Sequence, residues 1–459
     1  MKIFKSDVIL GKFRNYNSTK RKTALKVALV VLLVLGIGFG LLYVCGDFEK
    51  PAIALKNESP LLGLQRPVDI ALSDYKSGLR DIEINIIQNN KTYILLSAHY
   101  PKGIAYKQFS IKIPDQVKLV DGPAILHISV TDYSFHKNEN TLNKEIIIDT
   151  TAPQLFFSST DNNINQGGTG VITYSASEAL SLTGVQVENI FFRGYPINIS
   201  GKLHYITYYT LPLDIKDKKI NIKIIAKDSA GNESSRVFSC LVHCKKFRTD
   251  KMNLPDSFLQ QKMPEFQIRY QNLRNKSLIE TFTYVNEQMR NDDLKTIQSI
   301  CQKSEPEQLW QDVFLRMKNA APMAMFGDRR TYFYKGSSIG ESIHMGVDLA
   351  STANAPIEAS NNGIVSFTGV LGIYGNIVII DHGLGLFSLY GHLNSIAVKN
   401  AQKVKKGEII GYSGMSGLAG GDHLHFSILV GGQFVNPQEW WDAHWIADNV
   451  SRKMAITGQ

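Results

Sequence analysis

Disulfides cannot frame this chain, because its 459 residues carry only 4 cysteines, far below the density of a stapled scaffold. Cys240 and Cys244 lie four apart in Cys-Leu-Val-His-Cys, a spacing of ~13 Å on a straight strand and too far to bond. A bend would let them pair in an oxidising compartment. A zinc site from Cys240, His243 and Cys244 has no fourth ligand nearby, so a structural role is expected. Cys301 is expected as a buried free thiol on a helix. Charge of one sign is also missing from most of the chain. Residues 1–26 carry eight basic residues against one acid, so +7 of the formal +9 sits there and +2 is left for the other 433 residues. No basic face for phosphate follows, and nucleic-acid binding is excluded. Long disorder is not expected either, since 44% hydrophobic and 10% aromatic content are those of packed modules.

Uncharged apolar runs are absent but for one. Val27 to Cys45 extends for 19 residues without a charge, about 28 Å as a helix and close to the ~30 Å hydrocarbon core. A cleaved signal peptide is the rival reading, although its apolar region is usually only ~7–15 residues. Leu42-Tyr43-Val44-Cys45 loosely matches a lipoprotein cleavage box, but Val44 is not the small residue required before the cysteine. The expectation is a basic cytoplasmic tail at 1–23 and a transmembrane helix at 24–45. The rest of the chain would then lie outside the cytoplasmic membrane, in the periplasm or cell envelope. Gly36 and Gly40 form a G-x-x-x-G pair that could dimerise helices.

Beyond the span the patterning is mainly that of strands. Ile82-Glu-Ile-Asn-Ile86 and Ile125-Leu-His-Ile-Ser-Val130 alternate in period two between turn-rich stretches. Ile125–Asp132 and Ile220–Asp228 end alike, in Val-Thr-Asp and Ala-Lys-Asp, with their aspartates 96 residues apart. That period suits two successive β-sandwich domains, at 50–150 and 152–246. Asp149-Thr-Thr-Ala-Pro153 would be the joint, since proline ends regular pairing there. This joint and Ala226-Lys-Asp-Ser-Ala-Gly-Asn232 resemble bacterial immunoglobulin-like repeats, which implies spacer, adhesion or regulatory modules and envelope protein partners. Their aspartates and asparagines read as turn formers.

A helical linker is expected over 250–320. Leu278, Phe282, Val285 and Met289 keep helical spacing behind a Ser277-x-x-Glu280 capping box, and Ser304-x-x-Glu307 precedes Leu309, Trp310, Val313 and Phe314. From 321 to 446, glycine-punctuated short strands predict a compact, mostly antiparallel β domain.

Histidines carry the chemistry of that last region. His423-Leu424-His425 lies in an alternating strand, so its imidazoles point the same way, about 7 Å apart at the backbone. One can bind a metal while the other reaches water on the same ion. His344-Met-Gly-Val-Asp348 cannot be helical through Gly346 and Val347, but a loop bent at Gly346 could converge its ends. His344, Asp348 and one later histidine would leave a fourth zinc position open, the composition of a catalytic site rather than a structural one. Tyr390-Gly391-His392-Leu393 ends a strand in a turn that can project His392 into a cleft.

In order and spacing, the motifs at 344–348, 390–393 and 423–425 resemble the lysostaphin-type (LytM-like) peptidoglycan metalloendopeptidases. Phe326-Gly327-x-Arg329, Ala355-Pro356-Ile357, Tyr374-Gly375-Asn376 and Ser413-Gly414-x-Ser416-Gly417 support the match, which covers about 326–437. The resemblance implies that His344, Asp348 and His425 bind one catalytic Zn²⁺ and that His392 and His423 do the acid–base work. His382 matches a family position that is not a ligand and reads as structural, and His444 lies beyond the domain. The implied activity is hydrolysis of peptidoglycan stem-peptide or cross-bridge amides during cell-wall remodelling by an enzyme held in the inner membrane through one span. Some members have lost these positions and act as non-catalytic activators. A catalytically silent regulator that binds the wall or activates another hydrolase is therefore the alternative, against which the intact set argues.

Overall fold

The structure is a computed structural model that describes residues 22–38 and 46–456, apart from 57–58, 115, 158–162 and 216–218. It is multi-domain and mainly β, with few helices. Among the described residues no helix is long and apolar enough to cross a membrane. Residues 22–38 are helical, while the basic tail up to 21 and the end of the apolar run, with Gly40 and Cys45, lie outside the described residues.

The chain divides into two compact units, residues 1–151 with 230–232 and residues 152–229 with 233–459. In the first, a five-stranded sheet runs in the order Leu61–Leu62, Glu139–Ile148, Gly122–Asp132, Leu79–Gln88, Lys91–His99, and a three-stranded sheet in the order Ala52–Leu55, Val68–Ser73, Tyr106–Ile111. Ala124, Leu126, Ile128 and Val130 alternate inward from one strand and share a core with Ile70 and Leu72 of the other sheet. Each of the Leu, Ile and Val side chains among them contributes about 1.5–3 kcal/mol by leaving water. Asp132 closes the following turn by accepting from the Ser134 backbone at 3.0 Å and from Asn138 at 2.8 Å.

The second unit begins with another pair of sheets. One runs Asn163–Asn165, Glu233–His243, Lys219–Lys227, Leu182–Val187, Ile190–Arg193; the other runs Tyr195–Ile199, Lys202–Thr210, Thr169–Ala176, Leu155–Phe157. The second of these sheets is not half-solvated. Thr169 to Tyr174 and His204 to Thr210 are buried without alternation, as strands covered on both faces are. Their outer cover is the chain's C-terminal end. Trp440 stands edge-on to Tyr208 at 5.8 Å and its indole N–H donates to Thr169 Oγ1 at 3.1 Å. One hydrophobic core therefore runs from Leu155 to Val450.

The expected helical linker over 250–320 is corrected at both ends. Thr249–Asn253 is a strand, paired in parallel with Arg329–Tyr334, and helices occupy only Asp256–Ile300 with breaks. The Ser277–Glu280 capping box forms as expected, and Cys301 is a buried free thiol at the end of the last helix. Residues 301–320 are irregular. Ser304 caps no helix, because its hydroxyl donates to Asp381 Oδ1 and the Glu305 N–H to Asp381 Oδ2, both at 2.7 Å. The backbone N–H groups of Leu309, Phe314 and Leu315 likewise donate to His382, Trp440 and Ser360, so this segment satisfies itself against the C-terminal region rather than internally. Cys240 is buried and Cys244 exposed, and neither is bonded.

The C-terminal region is built on one sheet in the order Ala321–Ala324, Val347–Ala350, Leu424–Val430, Leu386–Leu393, Gly375–Asp381, Gly363–Leu371, Lys403–Val404, with Gln433–Val435 paired to Leu424–Val430. All these pairings are antiparallel.

Candidate metal centre and active site

Two adjacent strands bring the central residues together, with Asp348 directly opposite His425 in the register. His344 reaches them from the short loop before Val347. Gly346 makes that approach feasible: a Cβ there would sit 2.6 Å from the Phe426 carbonyl oxygen and 2.7 Å from the His425 ring. The glycine thus serves close packing onto the His425 strand, whereas the sequence suggested a pivot.

His344 Nε2 lies 3.0 Å from Asp348 Oδ1 and 3.0 Å from His425 Nδ1, and His425 Nδ1 lies 2.9 Å from Asp348 Oδ1. The outer ring nitrogens fix the tautomers. His344 Nδ1 is 3.0 Å from the Met325 carbonyl and must donate to it. Ser427 Oγ gives its proton to the Met345 carbonyl at 2.9 Å, so at 3.0 Å from His425 Nε2 it accepts. Neutral imidazoles held this way turn a lone pair inward at His344 Nε2 and at His425 Nδ1. Three acceptors then converge with no proton between them, an arrangement suited to holding a cation. Ligand atoms in a tetrahedral zinc site with ~2.0–2.1 Å bonds are about 3.3 Å apart, so this buried two-nitrogen, one-carboxylate set fits zinc with a small expansion.

His392 and His423 stand beside the trio. Their ring centroids are 4.8 Å apart, and His423 Nε2 is 3.6 Å from Asp348 Oδ1. His392 Nδ1 donates to the Ser416 carbonyl and His423 Nδ1 to that of Gly421, each at 2.8 Å, which turns Nε2 of both rings away from those carbonyls, that of His423 toward Asp348. His392 has φ 62°, a left-handed conformation uncommon outside glycine that here turns the side chain off its strand end. Burial would raise the Asp348 pKa, but the close approach of the His344, His423 and His425 rings holds it well below the usual carboxylate range. Burial pushes His392 down to about 3 and His425 to about 4. In His423 burial also lowers the pKa, but Asp348 more than compensates and the net shift is upward.

The site residues named by the sequence therefore meet in one place, on the wall of a cavity of about 370 Å³. His382 stays out of it, buried between the Asn362 carbonyl and Ser388, each 2.7 Å away, with its pKa lowered by burial to about 4. His444 lies exposed in the short helix Ala443–Ile446, whose N-cap is Asp442, and does not line the cavity.

Sequence reasoning missed the wall opposite. Arg290, Arg330, Met252 and Met323 line the same cavity, and all precede the histidine motifs. Two buried charges in the linker also hold the site's loops. Lys262, 2% exposed, donates to the Met415 carbonyl at 2.8 Å, one residue from the Ser416 carbonyl that orients His392. Asp293 accepts from the Ile373 backbone at 2.8 Å, next to Tyr374, whose ring lies 5.3 Å from that of His425. The only signal for either in the sequence is a lone charge on the apolar face of a helix.

Residues 342–437 match the sequence model of peptidase family M23. The DD-carboxypeptidase/endopeptidase Mpg of Neisseria meningitidis serogroup B is 40% identical over 95 residues, 21% of this chain and 22% of that protein. The peptidoglycan DD-endopeptidase ShyA of Vibrio cholerae is 41% identical over 93 residues, 20% of this chain and 22% of that protein. The chain thus spans about a fifth of the length of these relatives. Among solved structures, the catalytic domain of lysostaphin from Staphylococcus simulans is 26% identical, with 27% of this chain and 92% of that chain covered and a TM-score of 0.23.

Proposed function

We propose that this chain, whose C-terminal region is an M23, LytM-like peptidase domain, is a zinc metalloendopeptidase that hydrolyses peptide cross-links of peptidoglycan. One observation carries the reading: three inward lone pairs, from His344, Asp348 and His425, meet beside two further histidines, His392 and His423, each held through Nδ1 by a backbone carbonyl. The names of the two relatives supply the substrate class.

When bound by these residues, zinc would act as a Lewis acid toward the scissile carbonyl and lower the pKa of attacking water toward about 7. The chain's own part is positional and protonic. His344 and His425 keep their outer N–H groups on Met325 and Ser427 and so cannot rotate away from the trio. His392 and His423, each tied through Nδ1 to a backbone carbonyl, can take the proton of the attacking water at Nε2. From the same atom a protonated ring can pass it to the leaving amine. The Asp348 carboxylate, 3.6 Å from His423, favours the imidazolium in that exchange.

The same reading places the enzyme in the cell envelope, anchored by the apolar run at 27–45 with its N-terminus in the cytoplasm. The run's length and the basic residues before it support this, and carbonate extraction of membranes would test it by leaving the chain in the pellet. For the chemistry, His425→Ala should abolish both zinc retention, read by elemental analysis, and the release of new amino termini from purified peptidoglycan. His392→Ala should keep the zinc and lose about 10²–10⁴-fold in cleavage. Undiminished cleavage by His425→Ala would end the proposal.

A further inference from the structure

The catalytic cavity carries two guanidinium groups that the proposed zinc chemistry does not use. Arg330 projects from the strand Arg329–Tyr334 and Arg290 begins the helix Arg290–Ile300. Both line the cavity with the five site residues, and Asp348 is the one acidic residue among its walls. Arg330 Nη2 approaches Asp348 Oδ2 at 3.7 Å, an ion pair too long for a hydrogen bond. Among the described residues its guanidinium makes no hydrogen bond, so its fork of donors faces the cleft unused. Were Asp348 to hold a dication, the cavity would be strongly cationic, and such a field draws in and concentrates anions.

Arg290 is held in place. Its Nε donates to the Asn286 carbonyl and its Nη2 to Asn286 Oδ1, both at 3.2 Å, which leaves Nη1 without a partner among the described residues. Asn286, 2% exposed, in turn donates to the Glu341 carbonyl at 3.0 Å. Glu341 lies on the strand Ser337–Ile343, paired with that of Arg330. One hydrogen-bonded chain therefore runs from one arginine to the strand neighbouring the other, which organises both before any ligand arrives. Both precede the residues that match the peptidase family, 342–437.

We infer that Arg290 and Arg330 form a carboxylate-binding subsite that seats a free carboxylate of the substrate peptide beside the scissile amide. The inference rests on the proposed peptidase function and deepens it, since stem peptides carry free carboxylates along the chain and at its terminus. The open guanidinium fork of Arg330 and the Nη1 of Arg290 offer donors to a carboxylate's two oxygens with a charge complementarity that a neutral carboxamide lacks. The substrate selected would be an anionic peptide rather than a neutral, glycine-rich one.

Synthetic cross-linked stem-peptide dimers, with carboxylates either free or converted to amides, test this on the full chain. The unaltered protein should cleave the free acid about tenfold or more better than the amide, in line with a charge-assisted hydrogen bond. Arg330→Ala should bring that ratio close to one, mainly through KM and with unchanged zinc content. Arg330→Lys should recover part of the ratio, and Arg290→Ala should lower it less. Equal losses on both peptides would mean that Arg330 only steadies Asp348, and an unaltered ratio would remove the subsite; either overturns the inference. Calorimetric binding of the same two peptides to zinc-depleted protein reads the discrimination without turnover. A protein that binds the free acid preferentially yet cleaves neither peptide would keep the subsite and refute the peptidase reading instead.

Discussion

The strand Gly122–Asp132 alternates inward and outward along its length, while Lys202–Thr210 is buried on both faces from His204 onward. Both belong to paired-sheet regions of similar size upstream of the metal centre, and the difference shows what each region can do. The first closes its own core around Ile70, Ile84 and Ile128, and none of its described residues lines the histidine cavity. The second leaves a sheet face that is complete only when Trp440 and Val450 cover it. A region built that way shares one hydrophobic core with the C-terminal sheet and cannot be a detachable spacer. Through it and the following helices, residues that a motif search assigns to a linker come to hold the loops around His392 and His425.

The strongest test of this contrast is a pair of core truncations. Trp440, fully buried against Tyr208, Trp310 and Phe314, should cost about 3–5 kcal/mol when changed to alanine. In urea, loss of β structure and release of zinc should move together to lower denaturant. Ile128→Ala, about 2–5 kcal/mol by the same mechanism, should leave the zinc-release midpoint in place. If it shifts that midpoint as far as Trp440→Ala does, the two regions do not differ. A smaller effect is expected at Lys262. Lys262→Met keeps the aliphatic stem but removes the donor to the part-buried Met415 carbonyl, a loss of about 1 kcal/mol. Turnover on peptidoglycan should fall with zinc content unchanged, and hydrogen exchange at 415–418 should quicken. Unchanged exchange there would show that the loop is held by something else.

How legible this was depended on how local the signal is. His423-Leu-His425 could be read because a strand's period alone puts two imidazoles on one side, and Asp348 because its spacing from His344 admits one bend. The antiparallel C-terminal sheet was legible through its glycine punctuation. The irregular path of 301–320 was not, because Ser304 and Glu307 satisfy a capping pattern in sequence while Asp381, 77 residues from Ser304, takes the hydroxyl in space. Arg290, Arg330 and Lys262 were illegible for the same reason. Each has an unremarkable helical or strand context, and its function comes from a partner brought near only by tertiary packing.

Glu439 offers the finest probe of the seam between the second β region and the catalytic one. Its carboxylate accepts from Asn165 Nδ2 at 2.8 Å and from the Thr169 backbone at 2.7 Å, with Gly168 pressed against it where no Cβ would fit. Burial outweighs these donors and raises its pKa from 4.5 to about 7. A carboxyl that binds its proton more tightly when folded stabilises the fold fully below its unfolded pKa. That contribution is lost as pH rises through the folded value. Stability of the second unit should therefore decline by something on the order of 1–2 kcal/mol from about pH 5 to about pH 8, followed by urea midpoints across that range. Glu439→Gln, which cannot ionise, should flatten this slope. It should also be less stable than the unaltered protein at the acid end, because its amide cannot accept from both donors. The slope belongs to the second unit alone, so a first-unit probe such as Ile128→Ala should leave it unchanged. A slope that survives Glu439→Gln would move the titrating group elsewhere and with it the claim that this seam is where the two regions are joined.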